Sequence, residues 1–269
     1  SDMTKKEAIK IFEEKKVRAV WDDETEEWYF SVIDIIAVLT DSSNPTDYFK
    51  KMRKRDEQLA SFVGTNCPQV TMQTETGKKR KTLAADTQAV FRIIQSIPSP
   101  KAEPFKLWMA QVAKERLDEM QDPELTIDRA MMEYKALGYS DNWINQRLKS
   151  IEIRKDLTDE WKRHGLQEGV QFATLTDIIY QTWAGKTSKE YKKFKGLKKE
   201  NLRDNMTNTE LVLNMLAELS TKQISETSDP ETFNEHIDVA RRGGNIAREA
   251  RLKLEEETGK KVVSPLNAK

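Results

Sequence analysis

The stretch VRAVWDDETEEWYFSVIDIIAVL, residues 17–39, changes its periodicity once, and that change decides the fold class of the N-terminal part. Its first half is rich in β-branched and aromatic residues on both sides of an acidic turn at 22–27, which predicts two strands in a hairpin. Residues 9–16 read as the start of the same strand segment. After Ser31, apolar residues recur at helical spacing, and Asp34 three positions later completes a capping-box pattern. The stretch therefore predicts strand, turn, strand and helix.

A second helix is predicted over residues 46–59, after a break rich in Asp, Ser, Asn and Pro. Tyr48, Phe49 and Met52 fit its buried face, and basic residues crowd the rest. These form the first basic cluster of the chain: Lys50, Lys51, Arg53, Lys54 and Arg55.

Residues 68–85, PQVTMQTETGKKRKTLAA, predict a second β-hairpin. Val70, Met72 and Thr74 alternate with other residues, and Gly77 is placed for the turn. A basic two-stranded ribbon of this kind can enter a DNA groove or lie along the phosphates. The tip and the return strand supply the second basic cluster: Lys78, Lys79, Arg80 and Lys81.

Two further helices are predicted to close the N-terminal part, the first beginning after Asp86. The second, over 105–120, is expected to bury its larger apolar residues: Phe105, Trp108, Met109, Val112 and Leu117. The Asp-Pro step at 122–123 is typical of a boundary, so we predict one domain over 1–122 and another over 123–269.

The second half of the sequence reads as helical throughout. Thr158 is expected to open a short helix, the glycines at 243–244 to end another, and Thr207 to begin a capping box. The tail after Gly259 is expected to fray. The chain is thus predicted to be α+β, with a small N-terminal domain of β-hairpins and helices followed by an all-helical C-terminal domain.

The stretch KTSKEYKKFKGLKKENLR, residues 186–203, is the third basic cluster. In one continuous helix, Lys192, Lys195 and Lys199 would share a face. Gly196 interrupts the run, so an elbow between two helices is the alternative. The residues that we assign to DNA contacts in this cluster are Lys192, Lys195, Lys198, Lys199 and Arg203.

The charge balance makes the position of these clusters informative. The chain has 269 residues with 45 basic and 45 acidic side chains, so its formal net charge is zero and any attraction to nucleic acid must be local. A solvated helix face is the alternative explanation for each cluster alone. Lysines position a protein on phosphates, whereas base readout is expected from Arg53, Arg55, Arg80 or Asn201.

The sequence contains no recognised catalytic pattern. It lacks a phosphate-binding glycine loop, an HExxH pair and a GxSxG turn. Cys67 is the single cysteine, and His164 and His236 are far apart in sequence, which is a poor basis for a metal site. We interpret the acids at 22–27 as a solvated turn. We therefore expect no enzymatic activity, no cofactor and no metal, and a nuclease built from carboxylates and lysine is the least favoured alternative.

The cellular setting follows from similar absences in the sequence. No apolar run reaches the ~20 residues that span a bilayer, and the N-terminal residues show no secretion-signal pattern. A single cysteine fits a reducing compartment. We expect a cytoplasmic protein.

Segment 130–148 has the layout of a helix-turn-helix, with Gly138 at the turn. Glu133 occupies a position that normally faces the core of that motif. A plain helical hairpin is therefore the favoured interpretation.

Two families resemble the chain. Residues 10–120 resemble the Bro N-terminal domain of phage antirepressors and baculovirus repeated-frame proteins. The resemblance is carried by EEWYFSVIDIIAVLTDSSNPTDYFKKMRKR, KKRKTLAADTQAVFRIIQSIPSP and FKLWMAQVAKERL. It implies an α+β unit regarded as a DNA-binding module.

The second half is similar to the bacterial DNA-damage-inducible protein D family. The similar segments are WINQRLKSIEIRKDLTDEWKRHG, EYKKFKGLKKENLRDNMTNTELVLNMLAE and ARRGGNIAREARLKLEEETGKKVVS. This resemblance implies a role in DNA transactions of bacteria and prophages, induced with the SOS response, and hence a nucleoid-associated location in a bacterium.

Two hypotheses follow for the function. The first is a non-enzymatic DNA-binding regulator that grips phosphates through the basic clusters, with a helical second half that supplies an oligomerisation or accessory DNA surface. The second is an antirepressor-like interaction module that binds a repressor or a recombinase without touching DNA. A homo-oligomer is compatible with both hypotheses.

Overall fold

The computed structural model describes residues 17–269, and the chain divides into two compact units between Thr126 and Ile127. The first unit mixes strands and helices and the second is helical. Among the described residues, helix accounts for 67% and strand for 8%, which confirms the predicted α+β class. The strand segment predicted for 9–16 lies outside the described residues. The 122–123 step predicted as a boundary forms a loop shortly before the division.

The strands of the first unit form one antiparallel sheet in the order β1-β2-β4-β3. Their bounds are β1 Ala19–Asp22, β2 Glu27–Ser31, β3 Gln69–Gln73 and β4 Lys79–Ala85. Both predicted hairpins are present, since β1 pairs with β2 and β3 pairs with β4. The hairpins join where β2 pairs with Ala84 and Ala85 at the end of β4.

Helices of the first unit complete its core. They are α1 Val32–Leu39, α2 Pro45–Arg55, α3 Glu57–Asn66, α4 Thr87–Ser96 and α5 Glu103–Gln121. Their apolar stripes bury a common set of side chains: Val32, Ile35, Ile36, Leu39, Phe49, Leu59, Val63, Ile93 and Ile94. The stripe of α1 is therefore the one predicted from its spacing.

The basic stretch after residue 46 forms two helices where the sequence predicted one. Asp56 ends α2 in an extended conformation, and its backbone N–H donates to the Met52 carbonyl. The Asp56 side chain then accepts from the Leu59 N–H and begins α3. An aspartate that ends one helix and caps the next outweighs the continuous apolar periodicity, which was the basis of the prediction.

The helix α5 is less buried than predicted. Phe105 is 4% exposed, and Trp108 and Met109 are half-buried. Val112 and Leu117, also predicted to be buried, are 41% and 60% exposed. The prediction is wrong for these two because the apolar positions of α5 lie on more than one face.

Helices of the second unit pack around large aromatic side chains. The helices are α6 Glu124–Ala136, which crosses the division, α7 Asp141–Arg163, α8 Val170–Ala184, α9 Ser188–Phe194, α10 Asn208–Ser228 and α11 Phe233–Thr258. The largest buried side chains are Trp143, Trp161, Trp183, Tyr180 and Tyr191. Between α6 and α7, Gly138 adopts a φ of +93°, and Glu133 on α6 is exposed.

Three predictions for the second unit are wrong, and two of them concern helix ends. Thr158 lies inside α7, where its hydroxyl donates to the Lys155 carbonyl and does not cap a new helix. The glycines at 243–244 lie inside α11. A Cβ on Gly243 would approach the Thr221 backbone to 2.7 Å, so this glycine permits close contact between α10 and α11 and does not end a helix.

The third wrong prediction concerns the tail. Val262 is 9% exposed, and the Lys195 ammonium donates to the carbonyls of Ser264 and Leu266. The tail is therefore held by the second unit. No helix among residues 17–269 is long and apolar enough to cross a membrane.

Candidate nucleic-acid interface

The second basic cluster lies on a projecting two-stranded ribbon. Because β2 pairs with β4 only at Ala84 and Ala85, the segment Lys79–Lys81 pairs with β3 alone. Gly77 turns the chain with a φ of +81°, and the Thr74 N–H donates to the Lys78 carbonyl at 2.7 Å. The basic end of this hairpin therefore extends beyond the four-stranded part of the sheet.

One face of this ribbon is polar and basic. Lys79 is opposite Gln73, and Lys81 is opposite Thr71. Opposed residues share a face, and every second residue along a strand returns to it. The outer ribbon face therefore comprises Gln69, Thr71, Gln73, Lys79 and Lys81, all exposed and none of them acidic, and it ends at the half-buried Leu83 opposite Gln69.

Arg80 lies on the other face, opposite Met72, which is 3% exposed. Arg80 itself is exposed, and its role in base readout stays a prediction. Gln69, Thr71 and Gln73 were not predicted as site residues. Their alternation with Val70 and Met72 in the sequence was the signal that could have identified them.

A partly exposed ion pair holds the turn end of this ribbon, where Gln73 is the last residue of β3. The Asp34 carboxylate accepts from the Arg18 side chain at 2.8 and 3.0 Å and from the Arg18 N–H at 2.9 Å. A third Arg18 nitrogen donates to the Gln73 carbonyl at 3.1 Å. The hydrogen bond to Asp34 raises the pKa of the Arg18 guanidinium.

Because of this ion pair, the predicted capping box at Ser31 forms only in part. Ser31 accepts from the Asp34 N–H, but the Asp34 carboxylate is committed to Arg18. The acid therefore ties the first strand and the ribbon to the start of α1.

The first basic cluster occupies the solvent side of α2. Phe49 and Met52 are buried, whereas most of the cations are exposed: Lys50, Lys51, Lys54 and Arg55. Lys51 pairs with Asp47 at 3.0 Å. Arg53 differs from the others, since its guanidinium lies 4.7 Å from the Phe49 ring centroid and its Nε is buried. We therefore assign Arg53 to packing and withdraw it as a base-reading residue.

Most cations of the two N-terminal clusters are available for a partner. They make no ion pair with any residue in the described part of the chain: Lys50, Lys54, Arg55, Lys78, Lys79, Arg80 and Lys81. An exposed cation without a carboxylate neighbour can neutralise a phosphate and release its counterions without first breaking an ion pair within the protein.

The structure corrects the third basic cluster at Lys195. The Lys195 ammonium is 1% exposed and donates to Glu210 at 2.8 Å. Glu210 also accepts from the Tyr191 hydroxyl, and burial beside this carboxylate raises the pKa of Tyr191. The prediction of a DNA contact is wrong for Lys195, because a buried and paired ammonium cannot reach a phosphate.

Arg203 is also withdrawn from the interface. It donates to the Glu218 carboxylate at 3.0 Å and lies 5.6 Å from the Tyr180 ring centroid. Burial lowers the pKa of this guanidinium, but Tyr180 and Glu218 outweigh burial and leave it raised. Glu218 lies 3.9 Å from Arg154 as well, so one buried carboxylate serves two arginines.

The remaining residues of this cluster do not form one helical face. The helix α9 ends at Phe194, and Gly196 has a φ of +72°, so Lys192 and Lys199 lie on different elements. The elbow alternative is therefore correct. Lys198 and Lys199 are exposed, Lys192 is half-buried, and Asn201 accepts from the Arg203 and Asp204 N–H groups.

The two histidines, distant in sequence, meet in the second unit. Their ring centroids are 4.9 Å apart, and His164 also contacts Glu160 at 2.7 Å. Burial, followed by the proximity of His164, lowers the pKa of His236. No group of His, Cys, Asp and Glu within residues 17–269 has the arrangement to hold a metal ion.

Comparison with known proteins identifies one part of the chain. No curated protein matches it at a significant level, and the resemblance of the second half to DNA-damage-inducible protein D is not confirmed. Residues 16–115, which contain the sheet, the ribbon and the first basic cluster, match the BRO family, N-terminal domain. The chain therefore carries a Bro-N domain, which is a phage antirepressor-like domain.

Proposed function

We propose that the chain is a non-enzymatic regulator that binds DNA through the ribbon of its Bro-N domain. The observation that carries the proposal is the outer ribbon face, where two lysines stand beside exposed Gln and Thr side chains with no carboxylate among them. A ribbon of two strands fits the major groove of B-DNA.

The chemistry divides between the two kinds of side chain. Lys78, Lys79 and Lys81 bind phosphates and fix the position of the ribbon, whereas Gln73 and Thr71 reach base edges. The exposed end of α2 adds Lys50, Lys54 and Arg55 to the phosphate contacts. Contact with ~6 phosphates gives a slope of about −5 for log K against log salt.

The biological setting of the proposal is a prophage or DNA-damage response in bacteria. The Bro-N domain is consistent with a prophage regulatory role. The proposed SOS link and nucleoid-associated location rest only on the sequence resemblance of the second half to DNA-damage-inducible protein D. Lys198 and Lys199 provide an accessory DNA contact in that half.

The test is a fluorescence-anisotropy titration of the full chain with a labelled duplex at low and rising salt. The double substitution Lys79→Gln and Lys81→Gln should weaken binding and lower the salt slope by about 2. The matched control replaces Lys260 and Lys261, exposed lysines of the second unit, with Gln. Equal losses in the two variants, or no binding by the unaltered chain at ~50 mM salt, contradict the proposal.

A second candidate function has its own supporting observation. A groove of the first unit is lined by Val20, Trp21, Tyr29 and Val70 together with the acids at 22–24. Its aromatic and acidic lining suits a basic protein segment and repels DNA. This groove supports an antirepressor-like contact with a repressor or a recombinase. Binding of such a partner with unchanged affinity by the Lys79 and Lys81 variant would separate the two functions.

A further inference from the structure

The helix α5, Glu103–Gln121, presents an apolar strip to solvent. Leu107, Leu117 and Met120 are 61%, 60% and 63% exposed, and Ala110 and Ala113 between them are exposed as well. These five positions fall on one side of the helix, at spacings of three and four residues. The opposite side carries the buried Phe105.

The order of large and small residues along this strip makes it complementary to itself. Two copies of α5 that run antiparallel place Leu117 and Met120 of one copy over Ala110 and Ala113 of the other. Large side chains then fill the space above small ones on both sides of a two-fold axis, as knobs fill holes between paired helices. A parallel pair would place leucine against leucine and alanine against alanine.

The charges at the two ends of the helix favour the same arrangement. Lys106 lies near the start of α5, and Asp122 and Glu124 lie just after its end. The register that seats Leu117 and Met120 over the alanines brings Lys106 of one copy close to Asp122 of the other, the residue that ends α5. Opposite charges at the ends of an antiparallel pair select orientation and register.

We propose that α5 forms a homodimer interface, with a second copy of the chain antiparallel across a two-fold axis near Glu115. The interface extends the proposed function by giving one particle two ribbons, but it does not depend on DNA binding. Because the strip is a single helix face, the dimer belongs to the small and reversible class of interfaces.

The first test is sedimentation velocity on the full chain without DNA, over about two decades of concentration. We expect a reversible dimer that Leu117→Glu weakens about thirtyfold or more. Val170→Glu is the matched control, since Val170 is 82% exposed on another helix. A chain that stays monomeric, or a dimer that Leu117→Glu leaves intact, overturns the proposal. Circular dichroism checks that the variants are folded.

The second test determines the orientation of the two helices. The two copies of Lys114 lie close to the two-fold axis, whereas those of Lys106 are about 27 Å apart along the paired helices. A short bifunctional thiol reagent should therefore link Lys114→Cys to itself much more efficiently than Lys106→Cys. Equal linkage of the two variants contradicts the antiparallel pairing. The unaltered chain, with its buried Cys67, gives the background.

Discussion

The runs KKRK at 78–81 and KKFK at 192–195 are almost equally basic, yet their charges end in opposite environments. The first run extends into solvent on a ribbon, and none of its cations has an acidic partner in the described chain. The second run directs Lys195 into the core, where it meets Glu210 at 2.8 Å. A basic run in the sequence therefore predicts a basic surface only when the fold brings no acidic side chain close to its cations.

The acid that receives Lys195 belongs to a helix cap. Glu210 is the third residue of α10, and the Thr207 N–H donates to its carboxylate at 3.1 Å. The capping box was predicted from the sequence, but its second role was not, because Lys195 lies fifteen residues away from Glu210. Such a contact depends on the tertiary fold and leaves no local pattern.

The largest expected effect contrasts the same substitution at the two runs. Lys195→Met leaves Glu210 buried without its cation, which should lower the free energy of unfolding of the second unit by about 3–5 kcal/mol. Lys79→Met should change stability by less than about 0.5 kcal/mol and should weaken DNA binding. Urea unfolding followed by tryptophan fluorescence, together with anisotropy, measures both. Similar stability losses at the two positions would contradict the different environments of Lys195 and Lys79.

The next prediction concerns packing inside the second unit. Gly243→Ala places a Cβ 2.7 Å from the Thr221 backbone and should cost at least about 1–3 kcal/mol through overpacking of α10 and α11. Gly64→Ala is the control in α3, where no atom lies within 4 Å of the added Cβ. It should stabilise its helix by up to about 1 kcal/mol. Thermal unfolding of both variants gives the measurement, and a neutral Gly243→Ala would contradict the close contact of these helices.

Sequence reasoning predicted the fold best where the signal was local. Periodicity predicted both hairpins and the stripe of α1, and Asp86 caps α4 with its carboxylate as predicted. It was wrong where a local sequence signal reflected a tertiary contact. The glycines at 243–244 are typical of a helix end, but they serve a helix crossing that the sequence does not show.

The candidate site could be predicted only in part. The basic hairpin was identified from its composition, whereas the face of each lysine required the strand register. Arg53 and Arg203 were assigned by charge alone, and their aromatic neighbours, Phe49 and Tyr180, show why charge was insufficient. An arginine above an aromatic ring contributes to packing as much as to surface potential.

A smaller effect is expected at the turn end of the ribbon, where Arg18 donates to the Gln73 carbonyl. Asp34→Asn keeps the shape of the side chain but removes the charge that binds Arg18, which should cost about 1.5–3 kcal/mol in the first unit and loosen the ribbon. Asp41→Asn is the control, because Asp41 pairs with Lys101 while 83% exposed and should cost at most about 1 kcal/mol. Hydrogen exchange of β3 amides reports the loosening. Unchanged exchange would show that Arg18 and Asp34 do not hold the ribbon.

The smallest effect is a pH dependence confined to the second unit. The folded-state pKa of His236 is below the value of 6.5 expected in the unfolded chain, chiefly because burial disfavours the charged ring. Below pH 6.5 the unfolded chain therefore binds more protons than the folded one, and stability should fall as the pH drops towards the folded pKa. The second unit should be most stable above that window.

Glu160 acts in a lower window, which separates the two contributions. Burial opposes its ionisation, but hydrogen bonds from Arg163 and His164 outweigh burial and hold its pKa below 4.5, so its stabilisation is lost only in stronger acid. Urea unfolding between pH 7 and about pH 5 should therefore show a slope that His236→Asn reduces. An equal slope in the variant would mean that the buried imidazole is as easily protonated in the fold as in the unfolded chain. The second unit, which buries charged side chains, would then differ from the ribbon, whose charges face solvent, only through its buried lysine and arginine ion pairs.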